Sequence, residues 1–292
     1  MSVRGCLLGG AVMLMAASAC SDDDDSVTGP ASPSCTLLSE IGSFGGRDHI
    51  AYDVNDAGQI VGASFLPFNV ARHAFRWEAG VMTDLGTLGG SQSEARAINA
   101  SGQVAGWSTL ADDTTSRAFR WENGVMTELG TLGVTQSVAL GINASGQVVG
   151  WSTLPGDTIR HAFLWSNGVM TDLGTLGGDR SEARAINASG QVVGTSEVDT
   201  GARGDSHAFL WEAGQMQDLS APTGESFFEA NDINDAGEIV GRTVNGRAVV
   251  WRNGVITLLG TMVGRTNVAL GINEHGVIVG GTSRFDFEHA VV

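Results

Sequence analysis

One block of sequence recurs along almost the whole chain, and this periodicity limits the fold more than any local motif does. Trp77, Trp121, Trp165, Trp211 and Trp251 mark it, at intervals of 40 to 46 residues. His73–Gly90 reads HAFRWEAGVMTDLGTLGG, Arg117–Gly133 reads RAFRWENGVMTELGTLG, and His161–Gly178 reads HAFLWSNGVMTDLGTLGG. The pattern weakens at His207–Leu219 and Arg247–Gly260. Between these blocks lies a second signature. It is ARAINASGQVAGWS at Ala95–Ser108, recurs at Ala139–Ser152 and Ala183–Ser196, and diverges at Ala51–Ser64, Ala230–Arg242 and Ala269–Thr282.

Within one repeat, Ala-x-Ala-Ile-Asn is a short apolar segment. Asn-Ala-Ser-Gly or Asn-Asp-Ala-Gly is turn chemistry, because Asn bonds nearby backbone and Gly supplies positive φ. Gln-Val-Val-Gly-Trp-Ser and His-Ala-Phe-Leu-Trp are rich in β-branched and aromatic residues. A second tight turn, Glu-Asn-Gly, leads to Val-Met-Thr-Asp-Leu. Four short strands of 5–7 residues per repeat, with no helix-period segment, match the period of a propeller blade.

The Ala-x-x-Ile/Val-Asn strand occurs six times, ending at Asn55, Asn99, Asn143, Asn187, Asn234 and Asn273. The chain stops at Glu288–Val292, which begins a sixth Trp strand. The missing partner lies at the other end, where Leu37–Gly42 matches MTDLG and Phe44-Gly45-Gly46 matches TLGG. The expectation is an all-β, six-bladed β-propeller over 35–292, four short antiparallel strands per blade. Strand 35–42 completes the last blade, which closes the ring without an exposed sheet edge. The Ala-x-x-Ile-Asn strand is then innermost.

These residues resemble the HAF family of bacterial extracellular repeats, named for the tripeptide seen here at 73, 161 and 207. The resemblance spans Cys35 to Val292. It implies an exported repeat protein and carries no defined activity.

The N-terminus reads as an address. Leu7–Ala17 is an apolar run of signal-sequence size, too short to cross a bilayer as a helix. It ends in Ala17-Ser18-Ala19-Cys20, which resembles a bacterial lipobox; the alternative is an ordinary signal peptide cut after Ala19. Residues 1–19 are the expected signal peptide, with Cys20 lipidated to anchor the chain in a membrane. Residues 20–34, with Asp22–Asp25 and Pro30 and Pro33, form an acidic tether. An outer-membrane lipoprotein or cell-surface location is expected, with the periplasm as alternative. Cys6 leaves with the signal, so Cys35 has no disulfide partner.

Charge excludes several functions. The 16 basic residues are all Arg against 32 acidic ones, for a net charge of −16. Without Lys there is no P-loop and no Schiff-base chemistry. So acidic a chain is not expected to bind nucleic acid.

No catalytic motif is present, and no cofactor or metal is expected. The repeated His73, His161, His207 and His289 alternate with Arg117 and Arg247, which cannot ligate a metal, so they are assigned a structural role bonded to a neighbouring blade or loop. Asp84, Glu128, Asp172 and Asp218 fall on outermost strands, where charge discourages edge pairing. Glu94 with Arg96, and Glu182 with Arg184, lie two apart on inner strands and either pair or line the channel mouth. Asp53 and Asp232 sit in turn-like segments and are the acids nearest the expected channel. Arg203 and Asp205 belong to the longest loop, Glu197–Ser206. These six, Asp53, Arg96, Arg184, Asp232, Arg203 and Asp205, are the candidate binding-face or channel residues.

Variable loops on one face of a rigid scaffold are where binding usually resides. The leading expectation is a monomeric binding scaffold whose partner is a protein or a glycan. The alternatives are a glycan hydrolase or lyase working at the channel, and a purely structural envelope module.

Overall fold

The computed structural model describes residues 41–291 apart from 157–158, 200–204, 221–225, 261–265 and 285–286. The signal, the tether, Cys20 and Arg203 fall outside the described residues. So does the closing strand 35–42, save Ile41 and Gly42.

The chain forms six antiparallel units in sequence order. The first comprises β1 (His49–Val54), β2 (Ile60–Phe65), β3 (Arg72–Glu78) and β4 (Val81–Asp84). The second comprises β5 (Gly89–Ile98), β6 (Val104–Leu110), β7 (Ser116–Glu122) and β8 (Val125–Glu128). The third is β9 (Ser137–Ile142), β10 (Val148–Thr153), β11 (Arg160–Ser166) and β12 (Val169–Asp172). The fourth is β13 (Gly177–Ile186), β14 (Val192–Val198), β15 (Ser206–Glu212) and β16 (Gln215–Asp218). The fifth is β17 (Phe227–Ile233), β18 (Ile239–Thr243), β19 (Ala248–Arg252) and β20 (Val255–Leu258). The sixth carries β21 (Thr266–Ile272), β22 (Ile278–Arg284) and β23 (Phe287–Val291). A single parallel bridge, Arg72 to Gln92, joins the first two units into one eight-stranded sheet.

The first strands pack in series, β1 on β5, β5 on β9, and so on to β21. They are therefore the inner layer, as the small residues Ala97, Gly141, Ala185 and Gly271 require. The fourth strands are only four residues long, shorter than the sequence pattern implies. Short outer strands limit the exposed edge.

The core is a set of junctions between successive units. Between the first and second, Val61, Ala74 and Leu85 pack on Ala95, Val104, Phe119 and Trp121. Phe75, Phe119, Phe163 and Phe209 are wholly buried, each stabilising its junction by about 1.5–3 kcal/mol. This phenylalanine is thus the central packing residue of the first four units, and Val249 takes its place in the fifth. Ile41 and Phe44 pack on Ile60 and Phe75, as Leu85 and Leu88 serve the second unit. The Phe44 N–H donates to Ser64 Oγ at 3.1 Å, matching Leu88 N–H to Ser108 Oγ at 2.8 Å. Residues 41–46 thus occupy the place that the TLGG alignment assigns them.

The asparagines that end the first five inner strands each link one unit to the next. The Asn143 Oδ1 accepts from the N–H groups of Ser145 at 3.1 Å and Gln147 at 3.0 Å. Its Nδ2 donates to Gln147 Oε1 at 2.7 Å and to the carbonyl of Asn187, one unit on, at 3.0 Å. The same inter-unit bond runs from Asn55 to Asn99, Asn99 to Asn143, Asn187 to Asn234 and Asn234 to Asn273. Turn chemistry alone does not account for this asparagine.

Every inner strand also carries a bulge at the same place. Pairing slips between Ala51 and Asp53, between Ala95 and Ala97, and equivalently in the other four units. The bulge turns the carbonyl before it toward the second strand. There the glycine of Val-Val-Gly is obligatory: a Cβ on Gly106 would lie 1.9 Å from the Glu94 oxygen, and on Gly150 1.9 Å from that of Val138.

A Gly106→Ala variant is therefore expected to lose about 3 kcal/mol in urea unfolding, since the obstruction is backbone and cannot rotate away. Gly124→Ala, in an open turn with φ +85 and no atom within 4 Å, is expected to lose only about 1–2 kcal/mol. Equal losses would contradict the close approach at the bulge.

Candidate binding face

The bulge leaves one residue per unit out of the ladder and re-aims it. In order these residues are Tyr52, Arg96, Leu140, Arg184, Asn231 and Leu270. They vary from one unit to the next within the signature, as the position after them also does, and two of them are candidates from the sequence.

Arg96 joins a cluster at the junction of the first two units. Glu94 is buried and accepts from three donors: Arg72, Arg96 Nη2 at 2.5 Å, and Trp107 Nε1 at 3.3 Å. The Arg96 guanidinium stacks 4.1 Å above the Tyr52 ring. Arg72 also reaches the Tyr52 hydroxyl at 3.3 Å and lies over Phe65.

Arg184 organises a second cluster across the third to fifth units. It contacts Glu182 at 3.4 Å, Glu229 at 3.5 Å and Asn231 Oδ1 at 2.6 Å. Arg160 pairs with Glu182 at 3.3 Å and stacks on Trp151. Arg242 donates to Glu229 at 2.8 Å and stacks on Phe228. Beside Arg242 and Phe228, with Val244 and Thr266, lies an open depression of about 320 Å³. The expected Glu–Arg pairing within each strand is thus present, and each pair recruits further arginines and aromatic rings.

Asp53 and Asp232 serve a different purpose. Asp53 Oδ2 accepts from the Ile98 N–H at 2.9 Å, and Asp232 Oδ2 from the Ile272 N–H at 3.0 Å. Each carboxylate braces its unit to the next, and the two stand in different units, the first and the fifth. The Asp205 carbonyl accepts from Val198 N–H at 3.1 Å and closes the neck of the loop that contains Arg203.

The repeated histidines are structural, but their partner differs from the one expected. Nδ1 of His73 lies 2.9 Å from Asp84, that of His161 2.9 Å from Asp172, and that of His207 2.7 Å from Asp218. The partner is the outer strand of the same unit, not a neighbouring blade. Where Arg117 replaces His, Glu128 replaces Asp, at 3.1 Å. The outer-strand acids therefore hold a partner besides discouraging edge pairing. Asp84 also accepts from the Gly86 N–H at 2.8 Å and fixes the turn into TLGG.

A second exchange occurs on the turn face. Gln59 donates to Glu78, Gln103 to Glu122 and Gln191 to Glu212. In the fifth unit Glu238 stands in the Gln place and Arg252 in the Glu place, and they pair. The Arg252 guanidinium and then the Asn234 amide hold the Glu238 carboxyl below its ordinary value of 4.5. Loop acids behave likewise: Thr115, through hydroxyl and backbone, holds Asp112 down at about 2.

The fold has a solved counterpart. The β-propeller domain of the trilobed protease from Pyrococcus furiosus, described as having an open velcro topology, is 9% identical with a TM-score of 0.53 over 82% of each chain. The chain is accordingly a β-propeller. TolB from Acinetobacter baumannii is 13% identical with a TM-score of 0.49, over 80% of this chain and 63% of its own. This chain thus spans less than two thirds of the length of TolB. A gluconolactonase from Xanthomonas campestris is 13% identical with a TM-score of 0.41, over 78% of this chain and 79% of that one. No protein-family model and no curated protein matches the sequence.

The lowered Glu238 predicts a sign. Its folded-state value lies below the unfolded one, so its stabilisation is present above pH 4.5 and lost as pH falls below that. Glu238→Gln should melt at a lower temperature than wild type at pH 7, and the gap should close in melts taken toward pH 3. A constant gap would show that charge plays no part.

Proposed function

We propose that this chain is an exported, HAF-type β-propeller that serves as a binding scaffold for a protein or glycan of the cell envelope. Six blades form the ring, with strand 35–42 completing the last. Cys20 carries the lipid anchor and 20–34 is the tether. The observation that carries the binding reading is the division of the variable residues. The Asn-Ala-Ser-Gly turns repeat almost unchanged, while the re-aimed bulge positions and the loops between second and third strands differ from unit to unit. A purely structural module has no use for such variation. The hydrolase reading loses its two best acids, since Asp53 and Asp232 are each bonded to a backbone N–H of the next unit.

Two experiments test this. Replacing 197–206 by the short 243–246 connection is expected to preserve the unfolding transition, since a shorter loop costs no extra closure entropy, and to lower retention of envelope polysaccharide or protein by the immobilised chain. Retention that is unchanged, or absent from the outset, would favour the structural module. Deleting 35–46 removes Ile41 and Phe44 from the first junction and the proposed closing strand with them. It should lower the melting temperature and broaden the transition; unaltered melting would overturn six-bladed closure.

A further inference from the structure

The first arginine cluster holds more cations than anions. It sets Arg72 and Arg96 against Glu94. The second gathers Arg160, Arg184 and Arg242 around Glu182 and Glu229. The first pairing leaves one more guanidinium than carboxylate, on a chain whose net charge is −16. Surplus arginine is out of place on such a surface unless something negative is to be received there.

Donor accounting at Arg96 points the same way. Glu94 takes one donor from Arg96, its Nη2, beside those of Arg72 and Trp107. The Arg96 Nε–H is buried and has no partner. A buried donor without an acceptor is destabilising and calls for an explanation. The Arg96 side chain is nevertheless 32% exposed, so an acceptor from solution can approach the guanidinium. Arg160 repeats the feature: its Nε–H is buried without a partner, in a side chain 43% exposed.

Aromatic surface accompanies both cations. Tyr52 lies under Arg96 and Trp151 under Arg160. Nearby in the first unit, the loop between second and third strands holds Phe68 at φ +61 and 94% exposed. Left-handed backbone is strained for a phenylalanine and persists where the surroundings impose it. Here Arg47 N–H bonds Asn69 Oδ1 at 3.0 Å, and Asn69 N–H bonds the Leu66 carbonyl at 3.0 Å. The ring is presented, not tucked away.

We propose that the two clusters are subsites for an acidic polysaccharide, each taking the carboxylate of one uronic acid residue. The carboxylate meets the exposed side of the Arg96 guanidinium in one subsite and of the Arg160 guanidinium in the other, and the aromatic rings take the apolar face of the sugar. Two subsites on one rigid ring suit a ligand that repeats its charge, because the second contact is made at high effective concentration. The proposal rests on the binding-scaffold reading and names its ligand class.

The test is isothermal titration of the full-length protein in mild detergent with tetramers of galacturonate, glucuronate and mannuronate, their methyl esters, and a tetraglutamate peptide. At least one uronate tetramer is expected to bind, weakening as salt is raised, and its methyl ester to bind at least ten-fold more weakly. Arg96→Gln and Arg160→Gln should each weaken binding five-fold or more, measured at a temperature below the unfolding transition of each variant; Tyr52→Leu serves where Arg96→Gln fails to fold. Absence of binding for all three uronates, equal binding of the methyl esters, or insensitivity to both arginine variants would overturn the proposal. Tighter binding of the peptide would reassign the clusters to acidic protein. Should the uronates fail while the 197–206 replacement still abolishes retention of another component, the scaffold reading stands and only its ligand class falls.

Discussion

Everything in this fold depends on the amide of one asparagine per unit. Its oxygen closes a tight turn in its own unit, and its nitrogen reaches the backbone of the next. A residue with all four hydrogen-bonding positions occupied has one permitted orientation. In the first five units the same amide that closes the turn also holds the neighbouring backbone, so turn and neighbour favour one another. Local chain reversal and the packing of units become one cooperative event. Apolar junctions supply most of the stabilisation, but they are non-directional; the asparagines set the angle at which they meet.

The ionic and amide pairs of the second to fourth strands are satisfied inside a unit. The His–Asp and Arg–Glu pairs tie third strand to fourth, and the Gln–Glu and Glu–Arg pairs tie the second to the third. Because both partners lie in one unit, each pair changes together without disturbing its neighbours. The clusters around Glu94 and Arg184 break this rule, since Arg72 and Arg184 reach across junctions. Here side-chain ion pairs join one unit to the next, at the variable bulge positions.

Much of this was legible beforehand. Strand order and turn positions follow from the short β-rich segments between Asn-Gly turns, whereas the wholly buried phenylalanine of each of the first four units was not singled out. The Asn-to-carbonyl bond was not, because its acceptor is a backbone group 44 residues away that any residue could supply. The His–Asp pair left a trace that was readable and missed: Arg117 appears with Glu128 where His appears with Asp. The bulge left a subtler one, the glycine of Val-Val-Gly, which reads as an ordinary strand glycine until the opposing carbonyl is seen. Asp53 and Asp232 look like channel acids because they interrupt a row of Ala and Gly. The bulge instead directs each toward a backbone N–H of the next unit.

The bulge has one more consequence. A residue outside the hydrogen-bond ladder is exempt from the pairing and propensity constraints that govern its neighbours. Six such positions line the inner layer, now occupied by Tyr, Arg, Leu, Arg, Asn and Leu. Mutation can rewrite them without touching the ladder, but neighbours travel together: Arg96 stacks on Tyr52 and Arg184 bonds Asn231. Change along this inner layer therefore passes from unit to unit in pairs, while the scaffold beneath keeps its own bonds.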